Sequence, residues 1–135
     1  MKKGNIARRF LLVLALLCAA GLPTNARAKH EISSEIRTGV REAVLTFIDL
    51  RRMDGIVRFY DPVENKLLRL KFEALHDEVE HKGDFLVTCG DFRDQSGRKI
   101  DLDFLVLQDG GDSVVAQTVV HAIDGAKREY NLGAP

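Results

Sequence analysis

Five polar side chains of kinds that bind ligands or carry protons stand within apolar runs in the second half of the chain. They are His76, Cys89, Asp91, Gln117 and His121. In each run polar and apolar residues alternate, as in a strand with one buried face. Side-by-side pairing of the runs puts all five on the mostly apolar face, where they would line a small ligand-binding pocket beneath a covering helix. The alternative is that they lie at strand ends and bond to backbone or water.

Patterns specific to catalysis or metal binding are weak. A thiol nucleophile would need Cys89 beside His76 or His121 as its base, but an inward cysteine between apolar neighbours is more often an inert small hydrophobe. The four histidines, at positions 30, 76, 81 and 121, form no HExxH pattern or close pair. The aspartates at 91, 94, 101 and 103 do not have the spacing of a calcium loop. We therefore expect no catalytic residue, no metal and no cofactor.

Asp101 and Asp103 are the one pair of carboxylates placed for acid–base chemistry. They are two positions apart in a predicted strand, so they point to the same face, about 7 Å apart. Carboxylates at such separations serve glycosidases. Because Lys99 is nearby and this face is largely polar, we interpret both as solvated charges.

An apolar patch is predicted at one corner of the same polar face. Its members are Leu86, Leu105, Leu107, Val114 and Ala116. An exposed patch of this kind often marks a surface for a partner. We expect self-association or the docking of another exported protein, unless the strand at 56–60 or the tail at Tyr130 covers the patch.

The elements that position these residues change from helical to strand periodicity near Gly55. Apolar residues recur every three or four positions over about 31–52, which predicts one helix, with Ser33 or Ser34 as N-cap and Asp54-Gly55 as its stop. Alternation then predicts strands over about 56–60, 67–79, 84–93, 98–108 and 114–123. Short turns make consecutive strands antiparallel neighbours. The fold class is therefore α+β, with one N-terminal helix packed on a four- to five-stranded antiparallel meander.

The register of the central hairpin depends on the turn at 94–97. A two-residue turn at Gln95 and Ser96 would direct three side chains toward the helix: Phe85, Val87 and Cys89. A bulge at Gly97 would slip the pairing by one residue. It would direct a different set toward the helix: Leu86, Thr88 and Phe92. We take the two-residue turn as the working register.

The first 28 residues have the layout of a secretory signal peptide. A basic start ends at Arg9, an apolar run of 13 residues covers 10–22, and Ala26-Arg27-Ala28 has the small-x-small pattern of a cleavage site. At about 1.5 Å per residue the run spans roughly 20 Å, which is short of the ~30 Å core of a bilayer. We expect cleavage after Ala28, a single domain over 29–135 and a periplasmic or secreted location. An uncleaved anchor is the alternative.

Charge and cysteine content narrow the classes of partner. The chain has 20 basic and 20 acidic residues, and the first 28 residues hold five of the basic ones and no acid, so the remainder carries a net −5. An acidic body repels phosphate backbones, so we expect no nucleic acid partner, and no membrane once the signal is removed. Cleavage also removes Cys18, which leaves Cys89 without a disulfide partner.

The segments CGDFRDQSGRKIDLDFLV and VVHAIDGAKREY, which begin at Cys89 and Val119, resemble a family of small exported bacterial proteins to which no activity is attached. The order of a helix and then a meander is similar to cystatin-like and NTF2-like α+β folds, and the resemblance covers 55–130. It implies that architecture but no single activity, because such folds host enzymes, ligand carriers and interaction modules. The chain lacks the extra N-terminal helices that usually close an NTF2-like pocket.

Two functions fit these observations. The first is an exported single-domain binding or interaction protein without catalysis, whose partner is another exported protein or a second copy. The alternative is a small-molecule-binding or NTF2-like enzymatic pocket of at least ~300 Å³. Its lining residues would be His76, Asp91, Gln117 and His121.

Overall fold

The computed structural model describes residues 31–132, so the predicted signal peptide and Cys18 lie outside the described residues. Helix α1 (Ser34–Leu50) precedes eight strands. These are β1 (Arg52–Met53), β2 (Ile56–Asp61), β3 (Lys66–Leu75), β4 (Glu80–Lys82), β5 (Phe85–Asp94), β6 (Lys99–Asp109), β7 (Asp112–Ile123) and β8 (Ala126–Lys127). They form one antiparallel sheet in the order β1-β2-β3-β5-β6-β7-β8, with β4 also paired to β5. The α+β class with one helix on an antiparallel sheet is confirmed, and the sheet has more strands than predicted because β1, β4 and β8 are added.

Helix α1 covers one face of the sheet, which we call the helix face. The hydroxyl of Ser33 caps the helix by accepting from the backbone N–H of Ile36 at 3.3 Å. A stripe at four-residue spacing, Val40, Val44 and Ile48, is fully buried against the sheet. Within residues 31–132 no helix is both long enough and apolar enough to cross a membrane.

The core between α1 and the sheet is built from alternate residues of the long strands. In β6 the inward side chains are Ile100, Leu102, Phe104 and Val106, all fully buried. Four phenylalanine rings of this core pack against one another, mostly edge to face, with centroids 6.1–6.4 Å apart: Phe47, Phe59, Phe92 and Phe104.

The two-residue turn predicted for the central hairpin is wrong, and the alternative at Gly97 is correct. The loop is Gln95–Ser96–Gly97, closed by hydrogen bonding between Asp94 and Arg98, and Gly97 has φ +87°. A three-residue hairpin of this kind ends with a residue in the left-handed region, which glycine adopts without strain.

The extra loop residue shifts β5 by one position against β6, so that Cys89 pairs with Asp103 and Phe92 with Ile100. The helix face therefore receives Leu86, Thr88 and Phe92, all buried. Cys89 and Asp91, predicted beneath the helix, lie on the opposite side, which we call the outer face.

Irregularities in β3 and β7 displace the other predicted inward residues. Strand β7 contains two bulges opposite β6, and His121 is the extra residue of one of them. Gln117 pairs with Leu105 and is exposed on the outer face. His76 follows a bulged β3, and its backbone N–H donates to the carbonyl of Cys89 at 2.9 Å. The common placement predicted for these side chains, on the mostly apolar face beneath the helix, is therefore wrong.

The C-terminal tail ties the two ends of the sheet together. Arg128 donates to Asp61 at 2.7 Å and to Glu64 at 3.2 Å, which links the tail to the β2–β3 turn. Arg98 of the central hairpin also reaches Glu64, at 3.2 Å. Since these residues come from distant strands in the sheet order, the sheet must curve strongly around the core.

Candidate functional site

Four polar side chains contact a buried carboxylate on the outer face. Asp103 is fully buried, and its Oδ1 accepts from the thiol of Cys89 at 2.6 Å. Its Oδ2 lies 2.7 Å from Nδ1 of His121 and 3.6 Å from Nζ of Lys82. The hydroxyl of Tyr130 donates to the same Oδ2. We call these five residues the Asp103 cluster.

The cluster is assembled from four strands and the tail. Cys89 and Asp103 are direct cross-strand neighbours on β5 and β6. The bulge in β7 aims the ring of His121 at the carboxylate, as bulges near functional sites often do. Lys82 ends β4, and Tyr130 lies three residues beyond β8. The cluster thus forms only after the sheet and tail have come together.

Hydrogen bonding outweighs burial at the carboxylate. Burial works against ionisation of Asp103, but bonds from Cys89, Tyr130 and His121 hold its pKa below its usual value. Conversely, burial and the bond to Asp103 raise the pKa of the Cys89 thiol to about 12. The same two causes raise the pKa of Tyr130. At neutral pH the thiol is a hydrogen-bond donor, so the arrangement does not activate it as a nucleophile.

A cleft of about 700 Å³ opens beside the cluster. Lys82, His121 and Tyr130 line it together with the β4–β5 turn and the tail residues 127–132. The tail passes close to the turn, since a Cβ on Gly83 would lie 3.9 Å from the carbonyl oxygen of Leu132. His121 therefore faces both the buried carboxylate and open space.

His76 and Asp91 form a separate pair on the outer face. Nε2 of His76 lies 3.1 Å from Oδ1 of Asp91, and Nζ of Lys99 lies 3.5 Å from the same oxygen. Burial opposes ionisation of Asp91, but these two neighbours outweigh it and lower its pKa. His76 and Cys89 line a cleft of about 350 Å³.

A third cleft runs between two strand edges. Its volume is about 610 Å³, and it is lined by consecutive residues of β2 and the following turn (58–63), by consecutive residues of β7 (115–120), and by Phe47, Arg51 and Arg128. Successive residues of a strand point to opposite faces, but every residue of 58–63 and of 115–120 borders the cleft. The cleft therefore follows the edges of β2 and β7 and not one face of the sheet. We call it the edge gap. Gln117 lines it.

The five predicted ligand-binding residues thus do not share one pocket beneath the helix. His121 lines the cleft beside the tail, His76 and Cys89 line the second cleft, and Gln117 lines the edge gap. Oδ1 of Asp91 lies 3.1 Å from Nε2 of His76. That these residues bind a ligand stays a prediction, but the placement inferred for them is wrong.

The predicted apolar patch is reduced to one end of the sheet. Leu86 packs in the core beneath the helix, and Leu105 is only 2% exposed. Leu107 and Val114, which pair across β6 and β7, are 42% and 60% exposed, and Ala116 is exposed too. The tail was one of two segments expected to cover the patch, and its Tyr130 lies on the outer face, where it contacts Asp103.

Sequence reasoning did not identify several of these groups. It assigned Asp103 to solvent, although this side chain is fully buried, whereas Asp101 is partly exposed as expected. It gave Lys82 no role, and it considered Tyr130 only as part of a tail that covers the apolar patch. The available signal was that Cys89 and Asp103 come into register once Gly97 is treated as a bulge.

No family model, curated protein or solved structure matches this chain.

Proposed function

We propose that this chain is an exported, non-catalytic binding protein that takes an extended segment of a partner protein into the edge gap. The observation that carries the proposal is that, within residues 31–132, no strand pairs with the two strand edges that border the gap. Strand β1 pairs with β2 only as far as Val57, and β8 pairs with β7 only at Ala122 and Ile123. Open edges accept an added strand through main-chain hydrogen bonds.

Backbone groups of β2 point into the gap. Asp54 and Gly55 both have positive φ, at 54° and 76°, as in the tight turn that joins two hydrogen-bonded strands. The next residue, Ile56, therefore directs its N–H and C=O toward β1. By alternation Arg58 and Tyr60 direct theirs to the same side, beyond the end of β1.

Side chains in the gap favour an acidic segment. Nη1 of Arg58 and Oγ1 of Thr118 are buried and have no hydrogen-bond partner among the residues that the structure describes. Arg51 lies over the ring of Phe47 at 3.5 Å, which leaves a cationic and aromatic wall at the end of α1. A carboxylate from the partner would pair with Arg58, and alternate apolar side chains would rest on Phe59.

The size of the gap suits a short strand. Six residues of β7 and a similar length of β2 and its turn border it, which corresponds to roughly 20 Å of extended chain. Its volume of about 610 Å³ holds a backbone and a few side chains. The partner is then a protein, with no nucleic acid or membrane required.

The test is an NMR titration of the full chain with a ten-residue peptide of alternating glutamate and valine. We expect shifts at the amides of 58–61 and 114–120. Tyr60→Pro removes an edge N–H that β3 does not use, so it should weaken binding about tenfold. Tyr60→Ala keeps that N–H and is the matched control, with little change expected.

Three outcomes of this titration would contradict the proposal, each at a different point. Equal losses in Tyr60→Pro and Tyr60→Ala would show that the backbone edge is not the binding element. Equal binding of a lysine–valine peptide would remove the role given to Arg58. Concentration-dependent shifts at the same amides without peptide would make a second copy the occupant.

The same proposal includes export with cleavage after Ala28. It also includes classification of the fold as cystatin-like. The N-terminal sequence supports the first, and the single helix on an antiparallel sheet supports the second. The measurement is the intact mass of the protein recovered from the periplasm or medium of an expressing bacterium. A recovered chain that still carries residues 1–28 contradicts it.

A further inference from the structure

The Asp103 cluster brings together the three kinds of ligand atom that zinc uses in proteins. We propose that Cys89, Asp103 and His121 bind a zinc ion at the outer face. The site is distinct from the edge gap and does not depend on the function proposed for it. It also departs from the sequence-based expectation of no metal, because the three residues are separated by 14 and 18 positions and meet only across the sheet.

The geometry points to a metal because the donor atoms already converge. The sulfur of Cys89, a carboxylate oxygen of Asp103 and a ring nitrogen of His121 all lie within 4.8 Å of one another. Zinc takes sulfur at ~2.3 Å and nitrogen or oxygen at ~2.0–2.2 Å in tetrahedral sites, which separates ligand atoms by roughly 3.5 Å. The hydrogen-bonded contacts of 2.6 and 2.7 Å need to widen by only about 1 Å when the metal replaces the shared protons.

The surroundings supply the support that metal ligands need. Asp103 is held by Tyr130 and approached by Lys82, and both are placed to keep the carboxylate oriented. Cys89 and Asp103 sit on paired long strands, so their separation is fixed by the sheet. Rigid elements of this kind fix the ligand positions.

One coordination position would face the cleft beside the tail. His121 lines that cleft, so a zinc ion bound to its Nδ1 would be reached from the ~700 Å³ space. Three protein ligands with an open fourth position are typical of zinc sites that take water or an anion. The ammonium of Lys82 lies at the same opening and favours an anion there.

Proton and charge balance are consistent with binding. When zinc binds, the Cys89 thiol releases its proton to solvent, and the proton that His121 carries on Nδ1 toward Asp103 moves to Nε2, so that the neutral ring binds through Nδ1. Zinc, thiolate and carboxylate then sum to zero charge in a largely buried site.

The test uses the full chain carrying Cys18→Ser, so that Cys89 is the only thiol. Titration with Co²⁺ should give the near-ultraviolet thiolate-to-cobalt band, and zinc should displace the cobalt and abolish the band. Cys89→Ser and His121→Ala should each lower zinc affinity at least about 100-fold, which exceeds the effect of losing a merely supporting residue. His76→Ala removes a different histidine–carboxylate pair and should leave affinity unchanged.

A second measurement covers variants that fail to fold. In the Cys18→Ser chain itself, one equivalent of zinc should block alkylation of Cys89 by iodoacetamide, and a chelator should restore the unprotected rate. Cobalt binding without the thiolate band, zinc that leaves alkylation unchanged, or equal affinity in Cys89→Ser would each overturn the proposal.

Discussion

Cys89 lies directly across the β5–β6 pair from Asp103, and its thiol donates to that carboxylate over 2.6 Å. This contact exists because the central hairpin has a three-residue loop. With the two-residue loop, Cys89 would lie opposite Leu102 beneath the helix, and Asp103 would have no thiol partner. A single residue in a turn thus decides whether the outer face carries a buried polar cluster.

Asp103→Asn should destabilise the protein by about 2–4 kcal/mol. The amide keeps the shape of the side chain but replaces one acceptor oxygen with a donor, facing groups that themselves donate. Urea unfolding at pH 7 measures the loss. Asp101→Asn, on the same strand and partly exposed, is the matched control and should cost less than about 1 kcal/mol. Similar losses in the two variants would contradict the central role of Asp103.

The stabilisation from Asp103 should disappear in acid. Its folded-state pKa is below the ordinary value of 3.8, so as pH falls the unfolded chain binds the proton first. The contribution is therefore complete above about pH 5 and is lost as pH falls through the folded pKa. Unfolding of wild type and Asp103→Asn at several pH values should show their stability difference shrinking toward about pH 3. A constant difference would exclude this linkage.

Cys89 should react slowly with alkylating agents. With a thiol pKa of about 12, the thiolate fraction at pH 8 is far smaller than in a free cysteine, so alkylation of the Cys18→Ser chain by iodoacetamide should be at least about 100-fold slower. The reference rate comes from the same chain unfolded in urea. Chelator is present in both samples, so that metal does not protect the thiol. Comparable rates would mean that the contact with Asp103 does not hold the proton.

Gly97→Ala should cost about 1 kcal/mol of stability. Gly97 has φ +87°, and nothing lies within 4 Å of a Cβ placed there, so the cost is backbone strain and not a clash. Gly97→Asn should cost less, because asparagine enters the left-handed region more readily than alanine. Thermal or urea unfolding ranks the variants, and the reverse order would argue against a strained loop position.

Arg128→Ala should destabilise by about 2–4 kcal/mol, because it leaves the carboxylate of Asp61, 1% exposed, without its ion-pair partner. Arg93→Ala breaks an exposed surface pair with Glu73 and should lower stability much less, because solvent screens that pair. If the two variants lose equal stability, the tail does not secure the curved sheet.

The sequence by itself determined the helix and its buried stripe, the long strands and the α+β class, because periodicity and turn residues are local properties of the chain. Ile100, Leu102 and Phe104 alternate along the strand predicted over 98–108, and the structure has all three buried on the helix face. The same reasoning could not fix the side of Cys89 or His121. A strand shifted by one residue reverses every side chain, and loop length and bulges decide that shift.

Only the tertiary structure decided which polar groups meet. The sequence pattern places Asp103 on the polar face of an alternating strand, as a surface charge, yet partners from β4, β5, β7 and the tail enclose it. The edge gap likewise has no local signature, because it arises where a curved sheet brings β2 and β7 near each other without pairing them. Both sites depend on contacts between residues far apart in the chain, and periodicity within a single strand carries no information about such contacts.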